Sequence, residues 1–243
     1  MAAYGADMNK YLDSGNEARI KKAYESRDPR LQMAIITPYA QYNGASSGIA
    51  HTYTLRWPYR GSDSAEPFDI RTDTNDKFYY LWRKFVPEGL EQTERDTYGL
   101  DIPLIRYAEV LLLKAEALNE WGSTHESEAI RCVNEVRRRA GHVELNNATY
   151  PATKVNGQSD LRERIRNEYY WEIGGEDSMY FHELRWGTWK DKKFDNNRNG
   201  LMQMWGETTY TWYWLGDQCW SWPIPAKEME MNSNLEQNEG WIN

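Results

Sequence analysis

Cysteine and phenylalanine are scarce in this 243-residue chain, and long apolar runs are missing. Two cysteines, Cys132 and Cys219, are too few for a disulfide framework. Cys132 falls on the apolar side of a predicted helix, where a thiol packs as a small hydrophobic group. The longest apolar run, residues 110–113, is far shorter than the roughly 20 residues that cross a bilayer. We therefore expect no structural disulfide, no thiol chemistry and no membrane-spanning helix.

Excess basic charge is also lacking. The net charge is -8 and the isoelectric point about 5.2, which disfavours nucleic acid as a partner because such binding rewards a basic surface. Residues 1–9 contain neither the charged and apolar regions of a signal peptide nor a cysteine that could carry lipid. The four histidines show no metal-ligand spacing. We expect one globular unit without a metal or cofactor, and no export or anchoring signal in these residues.

Helical periodicity begins at residue 101. Apolar residues then recur at helical spacing, and glycines follow the predicted segments at positions 122, 141, 174 and 175. Helices are predicted over residues 103–121, 124–140, 160–173 and 177–186, with the first two forming an antiparallel hairpin. Pro103 suits a first helical turn, and Ser123 with Glu126 has the spacing of a capping box.

The first predicted helix carries two apolar rows. The second row, Val110, Leu113, Ala117 and Trp121, indicates a helix covered on two sides, as in stacked helical hairpins. By contrast, residues 1–100 form a loop-rich segment with short helices or strands, and residues 191–243 form an irregular C-terminal segment. The helical part is therefore residues 101–190.

The aromatic composition is unusual, with 12 Trp and 17 Tyr against 5 Phe. Rings with a polar handle suit half-wet surfaces, and a sugar site needs flat rings beside groups that bind hydroxyls. One predicted loop combines these features, and its candidate glycan-binding residues are Tyr42, Tyr53, Trp57, Tyr59, Arg60 and Asp63. The alternative is that these rings pin an irregular segment to the core. A second cluster, Tyr210, Trp212 and Trp214, and also Trp186 and Trp189, are interpreted as core.

Glu168 and Glu172 offer the sharpest enzyme hypothesis. They are four residues apart, on one helix face, and paired carboxylates are what a glycoside hydrolase requires. Against this, Arg162, Arg164 and Arg166 lie on the same helix, with Arg106 a possible tertiary partner. We expect ion pairs and no catalytic residue. Similarly, Arg137, Arg138 and Arg139 are expected to complement a helix C-terminus on a solvated face.

Five segments, in order, resemble the SusD/RagB family. They are residues 27–31 (RDPRL), 105–117 (IRYAEVLLLKAEA), 134–141 (NEVRRRAG), 161–187, which matches at Leu161, Ile165, Glu168, Glu172, Glu176, Arg185, Trp186 and Gly187, and 222–240, with WPIP and then NL, QN and Gly240. The fourth segment departs from the family pattern at Tyr169, Asp177, Met179 and His182, which indicates a divergent subfamily and leaves local ion pairing open.

The resemblance implies a mainly α fold of tetratricopeptide-like helical hairpins with long loop excursions. Residues 1–243 resemble the C-terminal part of such a domain. It further implies a non-catalytic glycan-binding lipoprotein, exposed at the cell outer membrane of Bacteroidetes, that covers a SusC-like TonB-dependent transporter. The expected partners are an oligosaccharide or polysaccharide and that transporter, with membrane contact only through an anchor absent from this chain. A scaffold that docks the transporter without binding glycan is the alternative.

Overall fold

The computed structural model describes residue 24, residues 27–37, 40–46, 49–59, 70–73 and 81–89, residue 99, and residues 101–176, 178–194 and 214–241. Helices predominate among them. The chain divides into two compact units, one within Asn9–Phe181 and the other containing His182–Asn243.

The helices are α1 Pro29–Ala34, α2 Tyr107–Trp121, α3 Glu126–Arg139, α4 Gln158–Glu172, α5 Ser178–Arg185, α6 Trp189–Phe194 and α7 Ala226–Met231. Short 3-10 turns occupy Ser123–His125, Pro151–Thr153 and Asp217–Trp220. The strands are β1 Ile35–Ile36, β2 Gln41–Ser46, β3 Ile49–Tyr59, β4 Ile70–Asp73 and β5 Leu81–Trp82.

Helices α2 and α3 form the hairpin that the sequence predicted. Gly122 ends α2 with a φ of 136°, a backbone conformation that favours glycine, and the 3-10 turn then reverses the chain. The predicted start at Pro103 is wrong, because Arg106 is extended and α2 begins at Tyr107. The predicted capping box is also wrong, since His125 precedes α3 and no side chain caps that helix.

The core of the first unit lies where α2, α3 and α4 pack together. Its fully buried apolar side chains come from all three helices and include Leu112, Ala115, Ala129, Val133, Leu161, Ile165 and Tyr169. Burying a leucine or isoleucine stabilises a fold by about 1.5 to 3 kcal/mol. The helical stripes read from the sequence therefore supply the packing that holds this unit together.

The second apolar row of α2 is open to solvent. Val110, Leu113 and Trp121 are 46%, 41% and 76% exposed, and the Trp121 ring stacks on His125 with centroids 4.3 Å apart. The expected cover on both sides of α2 is thus found on one side only among the described residues. An apolar stripe along a helix is typical of a surface that contacts another element.

A β-hairpin occupies the segment that the sequence placed in a loop. Strands β2 and β3 pair antiparallel from Gln41 opposite Thr54 to Ser46 opposite Ile49, and β4 pairs parallel to β3. Tyrosine, threonine and tryptophan recur along β3 and favour a strand, so the loop prediction here was wrong. The register shifts between Arg56 and Tyr59, around Pro58, which has no N–H to donate to a ladder.

The second unit contains an aromatic cluster next to a hydrogen-bonded C-terminal segment. The rings of Trp189, Phe194, Trp214 and Trp220 pack with centroid distances of 4.9 to 6.3 Å. Gln237 holds both backbone groups of Ile224, donating to its carbonyl at 3.0 Å and accepting from its N–H at 2.7 Å. Tyr210 and Trp212 lie outside the described residues.

Candidate functional site

The segments that the sequence singled out converge on one buried ion network. Asp28 precedes α1, accepts from the backbone N–H of Arg30 at 2.9 Å and pairs with its guanidinium at 2.6 Å. This contact turns the Arg30 side chain toward Glu168 on α4, which lies 138 residues later in the chain. A short aspartate, proline and arginine sequence thus starts a helix and also positions a cation.

Glu168 and Glu172 lie at the centre of this network. Glu168 is fully buried, and its two oxygens accept from Arg30 at 2.7 Å and Arg137 at 2.8 Å. Glu172 accepts from Arg30 at 3.2 Å and Arg106 at 2.9 Å, and it also pairs with Arg139 at 2.5 Å. Both carboxylates are therefore held by guanidinium groups from other segments.

Glu176 and Lys84 extend the network toward β5. Arg106 donates from Nε and Nη2 to the Glu176 carboxylate, and Lys84 pairs with that carboxylate at 2.5 Å. Lys84 Nζ also donates to the backbone carbonyls of Glu172 and Gly174. The loop at the end of α4 is thereby fixed to the chain that follows β5.

The network holds the carboxylates of Glu172 and Asp28 in their ionised form. Burial alone would raise the pKa of Glu172, but Arg106, Arg139 and Arg30 hold it below its ordinary value of 4.5. Burial likewise opposes ionisation of Asp28, yet hydrogen bonds from Arg30 lower its pKa from 3.8. A general acid needs the opposite shift, a pKa raised toward neutrality.

The expected ion pairs are present, but mostly with other partners. The tertiary pairing of Arg106 is confirmed, whereas Arg162, Arg164 and Arg166 pair with Glu120, Asp160 and Glu163 and not with the two central glutamates. The solvated role expected for the arginines that end α3 was wrong for Arg137, which is 5% exposed. Helix periodicity placed these arginines on α3 and α4 but did not reveal which face the network uses.

A cavity of about 230 Å³ opens beside the network. Its lining combines the cationic side chains of Arg30, Lys84, Arg106 and Arg139 with the apolar groups of Met33, Phe85 and Trp171. It also includes Glu172, whose carboxylate Arg30, Arg106 and Arg139 hold. Trp171 is 45% exposed, and the guanidinium carbons of Arg30 and Arg137 each lie 5.9 Å from its ring centroid. Phe85 has a φ of 61°, an uncommon conformation for a residue with a side chain.

The hairpin of β2 and β3, called the aromatic hairpin below, brings together two of the six predicted glycan-binding residues. Tyr42 faces Tyr53 across β2 and β3 with ring centroids 6.4 Å apart, and both rings are half-buried. The Tyr42 hydroxyl donates to the Pro87 carbonyl at 2.7 Å, as expected of a ring that pins the hairpin. Trp57 and Tyr59 continue along β3, whereas Arg60 and Asp63 lie outside the described residues.

Among the described ranges, no group of three histidine, cysteine, aspartate or glutamate side chains is placed to hold a metal ion. In that part of the chain, every helix is too short or too polar to span a bilayer.

A sequence model of the SusD family matches residues 5–241. The SusD-like protein P38 of Formosa agariphila is 32% identical over 139 residues, which are 57% of this chain and 24% of that protein. The starch-binding protein SusD of Bacteroides thetaiotaomicron is 28% identical over 161 residues, 66% of this chain and 25% of that protein. The matched region thus spans about a quarter of these relatives.

Solved structures share the fold. A SusD-like protein from Bacteroides fragilis superposes with a TM-score of 0.56 at 23% identity, covering 90% of this chain and 39% of that one. A SusD superfamily protein from Bacteroides vulgatus gives a TM-score of 0.52 at 21% identity, covering 88% and 40%. These likenesses confirm the predicted helical, tetratricopeptide-like fold class.

Proposed function

The chain belongs to the SusD family, and from that premise we propose that it binds oligosaccharides without cleaving them. We place it at the outer membrane, exposed at the cell surface, as a subunit that covers a SusC-like TonB-dependent transporter. The observation that carries this proposal is the family match over residues 5–241, in a set of relatives that includes a protein named for starch binding.

The geometry of the central glutamates supports the absence of catalysis. A retaining or inverting glycosidase needs one carboxylic acid that gives a proton and one free carboxylate that acts as nucleophile or base. Glu172 has a lowered pKa, and both oxygens of Glu168 are engaged by arginines. Glu172 therefore offers no proton, and Glu168 is fully buried between two arginines, out of reach of a substrate.

The aromatic hairpin supports a binding surface. Tyr53 pairs with Tyr42 across the strands, and its ring also meets His51 edge-on at 6.0 Å. Trp57 follows four residues later on the same strand, so one short segment supplies several rings. Stacking of a sugar face on an aromatic ring is favoured by a rigid support, which a paired strand provides better than a free loop.

The alternative is a scaffold that docks the transporter without binding glycan. The exposed apolar row of α2, which includes Leu113 and Trp121, favours this alternative because such a row suits a protein partner. The buried position of Leu55, between Tyr53 and Trp57 on β3, also indicates that part of the hairpin packs inward.

Calorimetric titration of the 243-residue chain with maltoheptaose and a panel of neutral plant and algal oligosaccharides tests the proposal. Tyr53→Ala and Trp57→Ala should weaken binding of the cognate glycan at least about tenfold while the melting temperature is kept. The matched control is Tyr150→Ala, which removes a tyrosine that is 53% exposed near the Pro151–Thr153 turn.

Three results would contradict the proposal or part of it. Binding unchanged in both hairpin variants would remove the hairpin as the site. No binding to any glycan in the panel would favour the scaffold. Release of reducing sugar that disappears in Glu168→Gln, at a temperature at which this variant is still folded, would make the chain an enzyme.

A further inference from the structure

We propose that the cavity between α1, α4 and the chain after β5 binds a sugar unit that carries an oxyanion, either a carboxylate or a sulfate ester. This inference rests on the proposed glycan-binding function and assigns a second site, separate from the aromatic hairpin. Its support is an unbalanced positive charge, an aromatic wall and the size of the cavity.

Charge is unbalanced in the network that forms one side of the cavity. Five cationic side chains, Arg30, Lys84, Arg106, Arg137 and Arg139, contact four carboxylates, Asp28, Glu168, Glu172 and Glu176. Burial and nearby Arg137 lower the pKa of His142, which contacts Asp28, so this imidazole adds no charge at neutral pH. Within the part of the chain that the structure describes, the network thus holds one positive charge in excess.

Arg139 presents that excess charge to the cavity. Its side chain is 58% exposed, while those of Arg30 and Arg137 are 9% and 6% exposed. Within the described residues its ion-pair partner is Glu172, through one guanidinium nitrogen at 2.5 Å. A guanidinium has five N–H donors, and its planar fork matches the two oxygens of a carboxylate or sulfate. Donors therefore remain for an anionic ligand.

Trp171 provides a wall for the sugar ring. One part of its indole lies against Arg30 and Arg137, as the 5.9 Å distances show, and the ring is still 45% exposed at the cavity. An aromatic face beside a hydrogen-bonding cation suits a pyranose, which has apolar C–H faces and a polar rim. Phe85, held with a φ of 61°, contributes a second aromatic group.

The cavity has room for about one sugar ring. Its volume of about 230 Å³ is below the range of roughly 300 to 1,000 Å³ that is common for drug-sized ligands. It is several times larger than the roughly 30 Å³ of one water molecule. A single acidic monosaccharide unit, such as a terminal uronate, fits this range better than a chain segment.

Ligand-observed NMR titrations of the 243-residue chain at low ionic strength test the assignment. The probes are methyl glucoside, methyl glucuronide, glucose 6-sulfate and inorganic sulfate. At least one charged sugar should bind about tenfold or more tightly than the glucoside, the gain of one charge-assisted hydrogen bond. Comparison of the two charged sugars identifies which oxyanion is preferred.

Variants locate the site. Arg139→Gln should remove the preference for the charged sugar, and Trp171→Ala should weaken all the sugars alike. The matched control is Arg138→Gln, because Arg138 is the preceding residue, is 65% exposed and pairs with Glu144 instead of the network. The melting temperature of each variant reports whether the fold is kept. The comparison of probes on the unsubstituted chain tests the preference for a charged sugar even if a variant does not fold.

Four outcomes would overturn the assignment: no preference for either charged sugar, no measurable binding of them, an equal loss in Arg138→Gln, or inorganic sulfate binding as tightly as the sugars. The neutral-oligosaccharide titrations with Tyr53→Ala and Trp57→Ala form an independent arm. If that binding persists while the cavity fails these tests, the cavity assignment alone is wrong.

Discussion

Replacement of Glu168 by glutamine tests how much the buried network contributes to stability. The substitution keeps the size of the side chain but removes the charge that lies between Arg30 and Arg137. Arg30 retains Asp28 and Glu172, whereas Arg137 retains the carbonyl of Val143, at 2.6 Å, and loses its carboxylate.

Breaking a buried ion pair by removing one partner destabilises a protein by about 3 to 5 kcal/mol. That is a large part of the roughly 5 to 15 kcal/mol that stabilises a typical domain. In a chain of this length, about 1 kcal/mol corresponds to roughly 2 to 4 °C, so Glu168→Gln should lower the melting temperature by roughly 6 to 20 °C.

Urea and thermal unfolding, followed by circular dichroism, measure this effect. The matched control is Glu120→Gln, because Glu120 also accepts from an arginine, Arg162, at 2.6 Å but is 43% exposed. An exposed pair contributes about 0 to 1 kcal/mol, so the control should change little. If Glu168→Gln destabilised the chain no more than the control, the network would not be a source of stability.

Three further predictions use other features of the first unit. Because the folded-state pKa of Glu172 is depressed, its contribution to stability is present above about pH 4.5 and should be lost as pH falls below that value. Urea midpoints measured against pH should therefore decline less steeply on the acid side in Glu172→Gln, and an unchanged decline would contradict this. The exposed apolar row of α2 should make the chain self-associate, which sizing chromatography measures, and Leu113→Glu should reduce this association. A monodisperse monomer of the unsubstituted chain would contradict this prediction. Gly175→Ala should lower the free energy of unfolding more than Gly141→Ala does. Both glycines have positive φ, but only at Gly175 would the added Cβ lie 2.5 Å from the Trp82 ring. Equal losses of about 1 kcal/mol in the two variants would show that this ring moves freely.

The helices were the most predictable part of the fold. The prediction for residues 160–173 differs from α4 by two residues at one end and one at the other, because apolar spacing and the following glycines agree there. The start of α2 was missed since Pro103 is a local helix signal, whereas the extended backbone of Arg106 accompanies a tertiary contact with Glu172 and Glu176. Local patterns describe neighbours along the chain and carry no information about such distant partners.

The candidate sites were less predictable for the same reason. The resemblance to a family placed Arg30, Arg137 and Glu168 in matched segments but gave them no role, and spacing on one helix favoured the wrong arginines as partners. The β-hairpin was missed although alternation of threonine and tyrosine in β3 indicated it. Trp171 was also missed, because a tryptophan near the end of a helix is normally counted as core and its exposure becomes evident only in three dimensions.

The network also constrains the order in which the chain can fold during synthesis. Arg30 is made before its partners, since Glu168 and Glu172 follow it by 138 and 142 residues. At roughly 5 to 20 residues per second, the ribosome therefore leaves Arg30 without these carboxylates for many seconds, and the contact carries the loop-closure entropy of a long separation. Helices α2 and α3, which are neighbours in sequence, can pair while synthesis continues. The residues around α1 should thus dock last, in a step that completes the unit only once α4 has emerged.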